Sequence, residues 1–159
     1  MGFPKNPAAI DRDLSKLAPF FRSLLEVALS ECWELGFQIK VFEAFRTPER
    51  QDFLFEQGRT RPGKIITKAK SWRSWHQYGL AVDLVFQKNG VWTWDKDFDY
   101  DKPASILKEY GFEWLYPFEQ SHFQITGGLP IREAEKLAKG GGVEAVWEAV
   151  ESKFANSAG

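Results

Sequence analysis

The sequence predicts an α+β domain: a small antiparallel sheet with helices on one side and at its ends. Three observations carry this. Apolar residues recur at helical spacing over residues 13–35. Residues 37–42 alternate in the period of two that a strand requires, and residues 80–86, as a strand, put Leu80, Val82, Leu84 and Phe86 on one face and Ala81, Asp83 and Val85 on the other. Lys88-Asn89-Gly90 marks a tight turn between the second strand and Val91-Trp92-Thr93-Trp94, which makes that pair an antiparallel hairpin. At 159 residues, a single domain over 1–159 is expected, with its core over about 13–128.

Residues 1–12 read as an irregular arm. The first helix carries Leu14, Leu17, Phe20, Phe21, Leu24, Leu25, Val27, Ala28, Cys32 and Leu35. Pro19 fits its first turn, where a missing N–H costs nothing, and Gly36 suits its stop. The strand 37–42 follows and delivers Arg46 at its end. Thr47-Pro48 reads as the cap and first position of a second helix that runs to Gly58. Residues 59–73 have no sustained apolar period and read as a long loop approaching a site. A strand over 79–86 and its hairpin partner come next. Asp95-x-Asp97-x-Asp99-x-Asp101 resembles a calcium loop, but the Gly at position six and the Glu at position twelve are missing, so a solvated acidic loop is expected. A helix over 103–110 is expected with Asp101 as cap and Gly111 as stop. Residues 112–117 lead into a strand over 121–126, which Gly127-Gly128 ends. Two helices, about 131–139 and 143–154, close the chain, and the tail 155–159 is expected to be loose.

Composition narrows the function. Net charge is −1, so nothing points to nucleic acid, and the basic run Arg59-Thr60-Arg61-Pro62-Gly63-Lys64 reads as a solvated loop. No stretch reaches the ~18–20 apolar residues that a membrane span needs, and the first residues lack the apolar core of a signal peptide. The single cysteine, Cys32, lies in the first helix and reads as a small buried hydrophobe. Fourteen Phe and seven Trp are many for this length, with the core and the lining of a groove as the two places for them. A monomer is expected.

The chemistry converges on two segments. Ser74-Trp75-His76-Gln77-Tyr78-Gly79-Leu80-Ala81-Val82-Asp83 holds one of the two histidines, and Glu119-Gln120-Ser121-His122 holds the other. Two imidazoles and a carboxylate make a three-ligand zinc site with one position open, and a second carboxylate can serve as base. On a strand over 80–86, Leu80, Val82, Leu84 and Phe86 face one way while Asp83 faces the other, toward a cleft. Gly79 permits a turn that folds His76 back beside Asp83. His122, Gln124 and Thr126 share one face of the later strand. The bland alternative is a satisfied polar pair in a loop. The agreement of spacing, Gly79, Ala81 and the second His–carboxylate segment favours metal ligation by His76, Asp83 and His122.

Ser-x-His-x-x-Gly-x-Ala-x-Asp followed by Glu-x-x-His resembles the zinc metallopeptidases that include the D-alanyl-D-alanine carboxypeptidases and the L-alanyl-D-glutamate endopeptidases. Their fold is shared with the hedgehog signalling domain. Phe45-Arg46-Thr47-Pro48-Glu49-Arg50-Gln51 and Gln57-Gly58-Arg59-Thr60-Arg61-Pro62-Gly63-Lys64 extend the resemblance toward the endopeptidase branch of phage endolysins and wall hydrolases, over about residues 20–126. The resemblance implies Zn2+ as cofactor and a peptidoglycan stem peptide as substrate, cut between L-alanine and D-glutamate. It implies Glu119 as the acid–base group and Arg46 as the group that stabilises the oxyanion or holds a substrate carboxylate. Gln51 matches a family position and is a candidate for substrate binding, with an ordinary helix-surface residue as the alternative. Ser74 either orients a ligand, binds substrate or makes a turn, and Trp75 and Tyr78, with Trp72, Trp114 and Tyr116, either flank a glycopeptide groove or pack in the core. Many relatives carry Gly-Gly-Asp-Trp before the acid. The shorter run 113–118 here gives this groove wall a different shape. Two rivals stand beside the endopeptidase: a D-Ala-D-Ala carboxypeptidase with the same metal chemistry, and a non-catalytic zinc module that binds a partner. Made without a signal peptide, such an enzyme reaches the wall by another route, holin release of a phage protein among them, or recycles wall peptides in the cytoplasm.

Overall fold

A computed structural model describes residues 6–94 and 99–157. Its elements follow the expected order. A 3-10 turn at Leu14–Lys16 precedes α1 (Pro19–Glu34), β1 (Ile39–Glu43) and α2 (Pro48–Glu56). After the loop, a 3-10 turn at Trp75–Tyr78 leads into β2 (Ala81–Lys88), β3 (Val91–Thr93), α3 (Asp101–Glu109), β4 (Glu113–Trp114), β5 (His122–Gln124) and α4 (Ile131–Ser157). Pro19 and Pro48 occupy first helical turns, and Thr47 Oγ1 accepts from the Arg50 N–H at 3.0 Å, as the sequence suggests. Asn89 and Gly90, with φ of 51° and 77°, make the left-handed pair that a two-residue hairpin needs.

The sheet is antiparallel, with strands in the order β1-β2-β5-β4 and β3 pairing with the end of β2. Its register sets the site. Glu43 pairs with Asp83, and Asp83 pairs with His122, so one cross-strand row carries all three. Neighbours in such a row share a face. A register shift between Val41 and Glu43 marks a bulge just before the row begins. Bulges bend a strand and re-aim side chains, and here the next residue is the buried Glu43.

One cluster of buried apolar side chains runs from Leu17 to Val150. Phe21 of α1 meets Phe112 edge-on at 5.1 Å between ring centroids. β2 is buried on both faces over Ala81–Phe86 except at Asp83, which keeps partial access. α4 bends at Gly141 and Gly142, so it acts as two helices, matching the pair expected. Its second half buries Val146 and Val150, and Trp147 donates its indole N–H to the Tyr78 carbonyl at 2.6 Å. Among the described residues no helix is long and apolar enough to cross a membrane.

Three expectations need correction. Asp101 is the first residue of α3 and not its cap; Asp99 accepts from the Asp101 N–H at 2.8 Å and orders that end instead. Residues 155–157 continue α4 and are not loose, while the final two positions lie outside the described residues. Glu113–Trp114, read as a leading segment, pairs with β5 as a strand. Of the acidic loop, residues 95–98 lie outside the described residues.

Gly79 ends the 3-10 turn that carries His76, at φ 68°. A Cβ there would stand 2.9 Å from the Lys16 carbonyl oxygen, against the junction where the Ala18 N–H donates to the Gly79 carbonyl at 2.9 Å. Gly79→Ala adds both left-handed strain and a backbone clash. It is expected to cost about 2 kcal/mol or more, read as a lowered urea midpoint. Cys32 is fully buried, and burial pushes its thiol up to about 11. Folded protein at neutral pH is therefore expected to resist a thiol reagent that reacts fully once denaturant is added.

Candidate active site

His76 comes from the 3-10 turn, Asp83 from β2 and His122 from β5. Their ligand atoms all lie within 4.8 Å of one another, and both histidines are buried. His76 Nε2 stands 3.4 Å from Asp83 Oδ1, and His122 Nδ1 stands 3.6 Å from the same oxygen. The outer nitrogen of each ring is engaged elsewhere. His76 Nδ1 lies 2.8 Å from the Ala44 carbonyl, and His122 Nε2 lies 2.7 Å from Gln124 Oε1. A carbonyl oxygen only accepts, so His76 carries its proton on Nδ1. With Gln124 presenting its oxygen, His122 carries one on Nε2. Each inner nitrogen is then the atom left to face the centre, and His122 Nδ1 becomes a lone-pair donor once the proton that Asp83 and Glu119 favour there is displaced. Those two inner nitrogens are buried and have no aligned hydrogen bond among the described residues. Two orphaned imidazole nitrogens facing one carboxylate are what a divalent metal would satisfy.

The charges around this point are arranged by Arg46. Its Nη2 donates to Glu43 Oε1 at 2.9 Å and to Asp83 Oδ2 at 3.3 Å, and its Nη1 donates to Gln51 Oε1 at 3.0 Å. Arg50 also pairs with Glu43 through Nε, and through Nη2 at 3.2 Å. Burial would raise the Glu43 carboxyl, but the Arg50 and Arg46 guanidiniums hold it below its ordinary value. Burial likewise opposes ionisation of Asp83, and His76, His122 and Arg46 together keep it well below the carboxylate range. Burial, then the Arg46 charge, lowers His76. For His122 burial works against the charged form, but Asp83 and Glu119 outweigh it and hold the group up at about 9.

Glu119 lies in the turn before β5, with Oε2 3.3 Å from His122 Nδ1 and its side chain half exposed. It lines a cavity of about 260 Å3 with Arg46, Thr67, Ala69, Arg73 and both histidines. Ser74 and Trp75 line it as well. Ser74 Oγ accepts from the His76 N–H at 3.3 Å, and its own N–H donates to Gln77 Oε1 at 3.2 Å, so it caps the histidine's turn. Gln51 and Tyr78 are fully buried. Gln51 accepts from Arg46 and donates to the Ala69 carbonyl at 2.7 Å, while Tyr78 Oη donates to the Trp72 carbonyl at 2.9 Å. Both tie the 67–73 loop to the site from inside.

Sequence reasoning passed over four residues here: Glu43, Arg50, Gln77 and Gln124. Gln124 was visible in part, since alternation puts it on the face of His122. Glu43 left one signal, a lone charge in the run Val41-Phe42-Glu43-Ala44-Phe45. Arg50 and Gln77 looked like ordinary polar residues of a helix and a turn.

A cluster of three possible metal donors, with a further carboxylate at the mouth of its cavity and an antiparallel sheet behind it, marks an α+β domain with a candidate metal site. The chain belongs to the VanY family, described as D-alanyl-D-alanine carboxypeptidase, whose model matches residues 15–127. It is 34% identical over 109 residues to the peptidoglycan L-alanyl-D-glutamate endopeptidase CwlK of Bacillus subtilis, a match covering 63% of this chain and 65% of that protein, just under two thirds of the relative's length. The fold is similar to that of the L-Ala D-Glu endopeptidase ChiX of Serratia marcescens, with a TM-score of 0.54 and 23% identity over 80% of this chain and 91% of that one. It is also similar to the vancomycin-resistance D,D-dipeptidase VanXYg, at a TM-score of 0.54 and 21% identity over 86% of this chain and 60% of that one.

Gln124 makes a testable prediction. Gln124→Leu removes the acceptor that orients His122 and is expected to weaken divalent-metal binding by about 10–100-fold. Competition with a chromophoric chelator would measure this, with the circular dichroism spectrum as the check on folding.

Proposed function

We propose that this protein is a zinc-dependent peptidase of bacterial cell walls that hydrolyses the bond between L-alanine and D-glutamate in peptidoglycan stem peptides. The observation that carries the metal reading is the pair of buried inner nitrogens, each with its outer N–H already committed to a protein acceptor. His76 Nε2, Asp83 and His122 Nδ1 would hold the ion, and the soft–hard mixture of two imidazoles and one carboxylate suits Zn2+. The bond specificity follows the 34% identity to CwlK.

Bound zinc supplies Lewis acidity that polarises the scissile carbonyl and makes water nucleophilic at neutral pH. The protein's own groups do the rest. Glu119, half exposed at the mouth of the cavity, takes a proton from the attacking water and returns it to the departing amine. The contact with His122 holds its carboxyl below the ordinary value, against the opposing effect of its partial burial. Arg46 lines the cavity with Nη1 on Gln51 and Nη2 on Glu43 and Asp83, and it acts on a developing oxyanion through the positive charge held there. Ser74 and Gln77 hold the turn of His76, and Gln51 holds Arg46.

The D-Ala-D-Ala carboxypeptidase reading keeps the same chemistry and draws on the family's own description. Mass spectrometry of peptidoglycan digested with metal-loaded protein, beside a chelator-treated control, separates the two. New L-alanine C-termini and D-glutamate N-termini, absent with chelator, are the expected result; release of free D-alanine would move the assignment to the carboxypeptidase. Glu119→Gln is expected to retain zinc and lose about 10²–10⁴-fold in kcat. A variant with full activity would remove Glu119 from the mechanism, and wild-type protein without any metal-dependent product would leave a zinc-binding interaction module as the reading.

A further inference from the structure

The segment 67–73 separates two compartments. Thr67 and Ala69 turn toward the metal cavity, while Lys68 and Lys70 turn to the other side and are exposed. That other side is a second cavity of about 610 Å3, walled by Asp52 and Phe55 of α2 and by Glu135 and Lys139 of α4. Arg73 lines both compartments, so they meet at its side chain.

The chemistry of the outer compartment is cationic and aromatic. Lys68, Lys70, Arg73 and Lys139 face two carboxylates, and both of those are already engaged. Asp52 accepts from the Ser71 N–H at 2.8 Å, and Glu135 is held between Arg73 at 3.0 Å and Lys139 at 3.2 Å. Among the described residues neither Lys68 nor Lys70 is in an ion pair. Lys70 Nζ instead stands 5.4 Å from the centroid of the Phe55 ring. Trp72 is 39% exposed here with φ at 65°, a left-handed conformation that is rare for a bulky residue. Its backbone is held there by the Tyr78 hydroxyl on its carbonyl, and its ring packs 5.7 Å from that of Tyr78. Strain of this kind persists where surrounding structure over-determines it, and it clusters at ligand sites.

We propose that this groove binds the carboxylate-bearing half of the substrate, the half that leaves with the new amine. The assignment rests on the stem-peptide reading above. A glutamate joined onward through one carboxyl keeps the other free, and the peptide's C-terminus supplies another. The alanine half ends instead in uncharged sugar. Charge complementarity therefore sets the direction of the substrate: the scissile carbonyl at the metal cavity, the acidic arm passing Arg73, and its carboxylates among Lys68 and Lys70 beside the Trp72 ring. Binding energy from this remote arm positions the bond to be cut.

The test uses the metal-loaded Glu119→Gln protein and a soluble disaccharide–peptide carrying the L-Ala–D-Glu bond. A second ligand is the same molecule with the free carboxylates of its leaving half converted to primary amides. Titrations are followed by tryptophan fluorescence and by calorimetry. The parent is expected to bind the acidic ligand roughly 3–10-fold more tightly than the amide, with the difference shrinking as salt is raised. With Lys68→Gln and Lys70→Gln added, that preference is expected to vanish while zinc content and thermal stability stay unchanged. An unaltered preference, equal binding of both ligands by the parent, or binding of neither would overturn the assignment. Cleavage by the wild-type protein is scored separately. Cutting at L-Ala–D-Glu with lysine-independent binding defeats only the groove, whereas a lysine-dependent preference without cutting defeats only the proposed reaction.

Discussion

A guanidinium between two carboxylates is the constraint on which this structure depends. The sheet register sets Glu43 directly beside Asp83, and like charges in adjacent cross-strand positions repel. Arg46 resolves this by donating from one nitrogen to both. Arg50 closes the other side of Glu43. Two carboxylates and two guanidiniums then balance, Glu43 and Arg50 buried and Asp83 and Arg46 partly so, which is the condition for taking such charges out of water. Loss of Glu43 would leave two guanidiniums without their shared partner, and loss of Arg46 would leave two facing carboxylates. The Asp83 carboxyl is therefore held in its ionised range within the candidate donor cluster because Arg46, outside that cluster, neutralises its neighbour.

The geometry of the candidate donors is fixed in the same manner, by groups behind them. His76 sits on a single 3-10 turn, a weak element by itself. Ser74 and Gln77 cap that turn, Gly79 lets it end in the left-handed region, and the Ala44 carbonyl holds the ring. His122 sits on a three-residue strand between β2 and β4, and Gln124 two residues on sets its tautomer. One histidine thus presents Nε2 and the other Nδ1. Pre-set orientation of this sort removes the cost of arranging ligands when an ion arrives. The cavity is accordingly walled by buried groups on its histidine side, with the half-exposed Glu119 at its mouth.

Much of this was legible in the sequence because local rules and the final packing agree. Pro19, Thr47-Pro48, Gly36 and Asn89-Gly90 mark element ends by backbone chemistry that tertiary structure does not override. The two histidine segments announced a centre through their spacing, and the family resemblance named the residues around it. The misses have a common cause. Glu43 and Arg50 matter through a register and a bulge, and no local pattern reports which residues stand opposite one another across strands. Gln51 and Tyr78 were read as candidates for substrate contact, yet both side chains point inward and brace the loop beside the site. Asp101 looked like a helix cap because it precedes an apolar period, but the helix begins at it, and Asp99 makes the ordering hydrogen bond instead.

The hydrogen bond from Trp147 to the Tyr78 carbonyl ties the far end of the chain to the candidate site. The two residues are 69 positions apart, and the earlier one lies in the 3-10 turn that carries His76. Shortening the chain within the second half of α4 would therefore remove a brace from the turn of a histidine without touching any residue that lines the cavity.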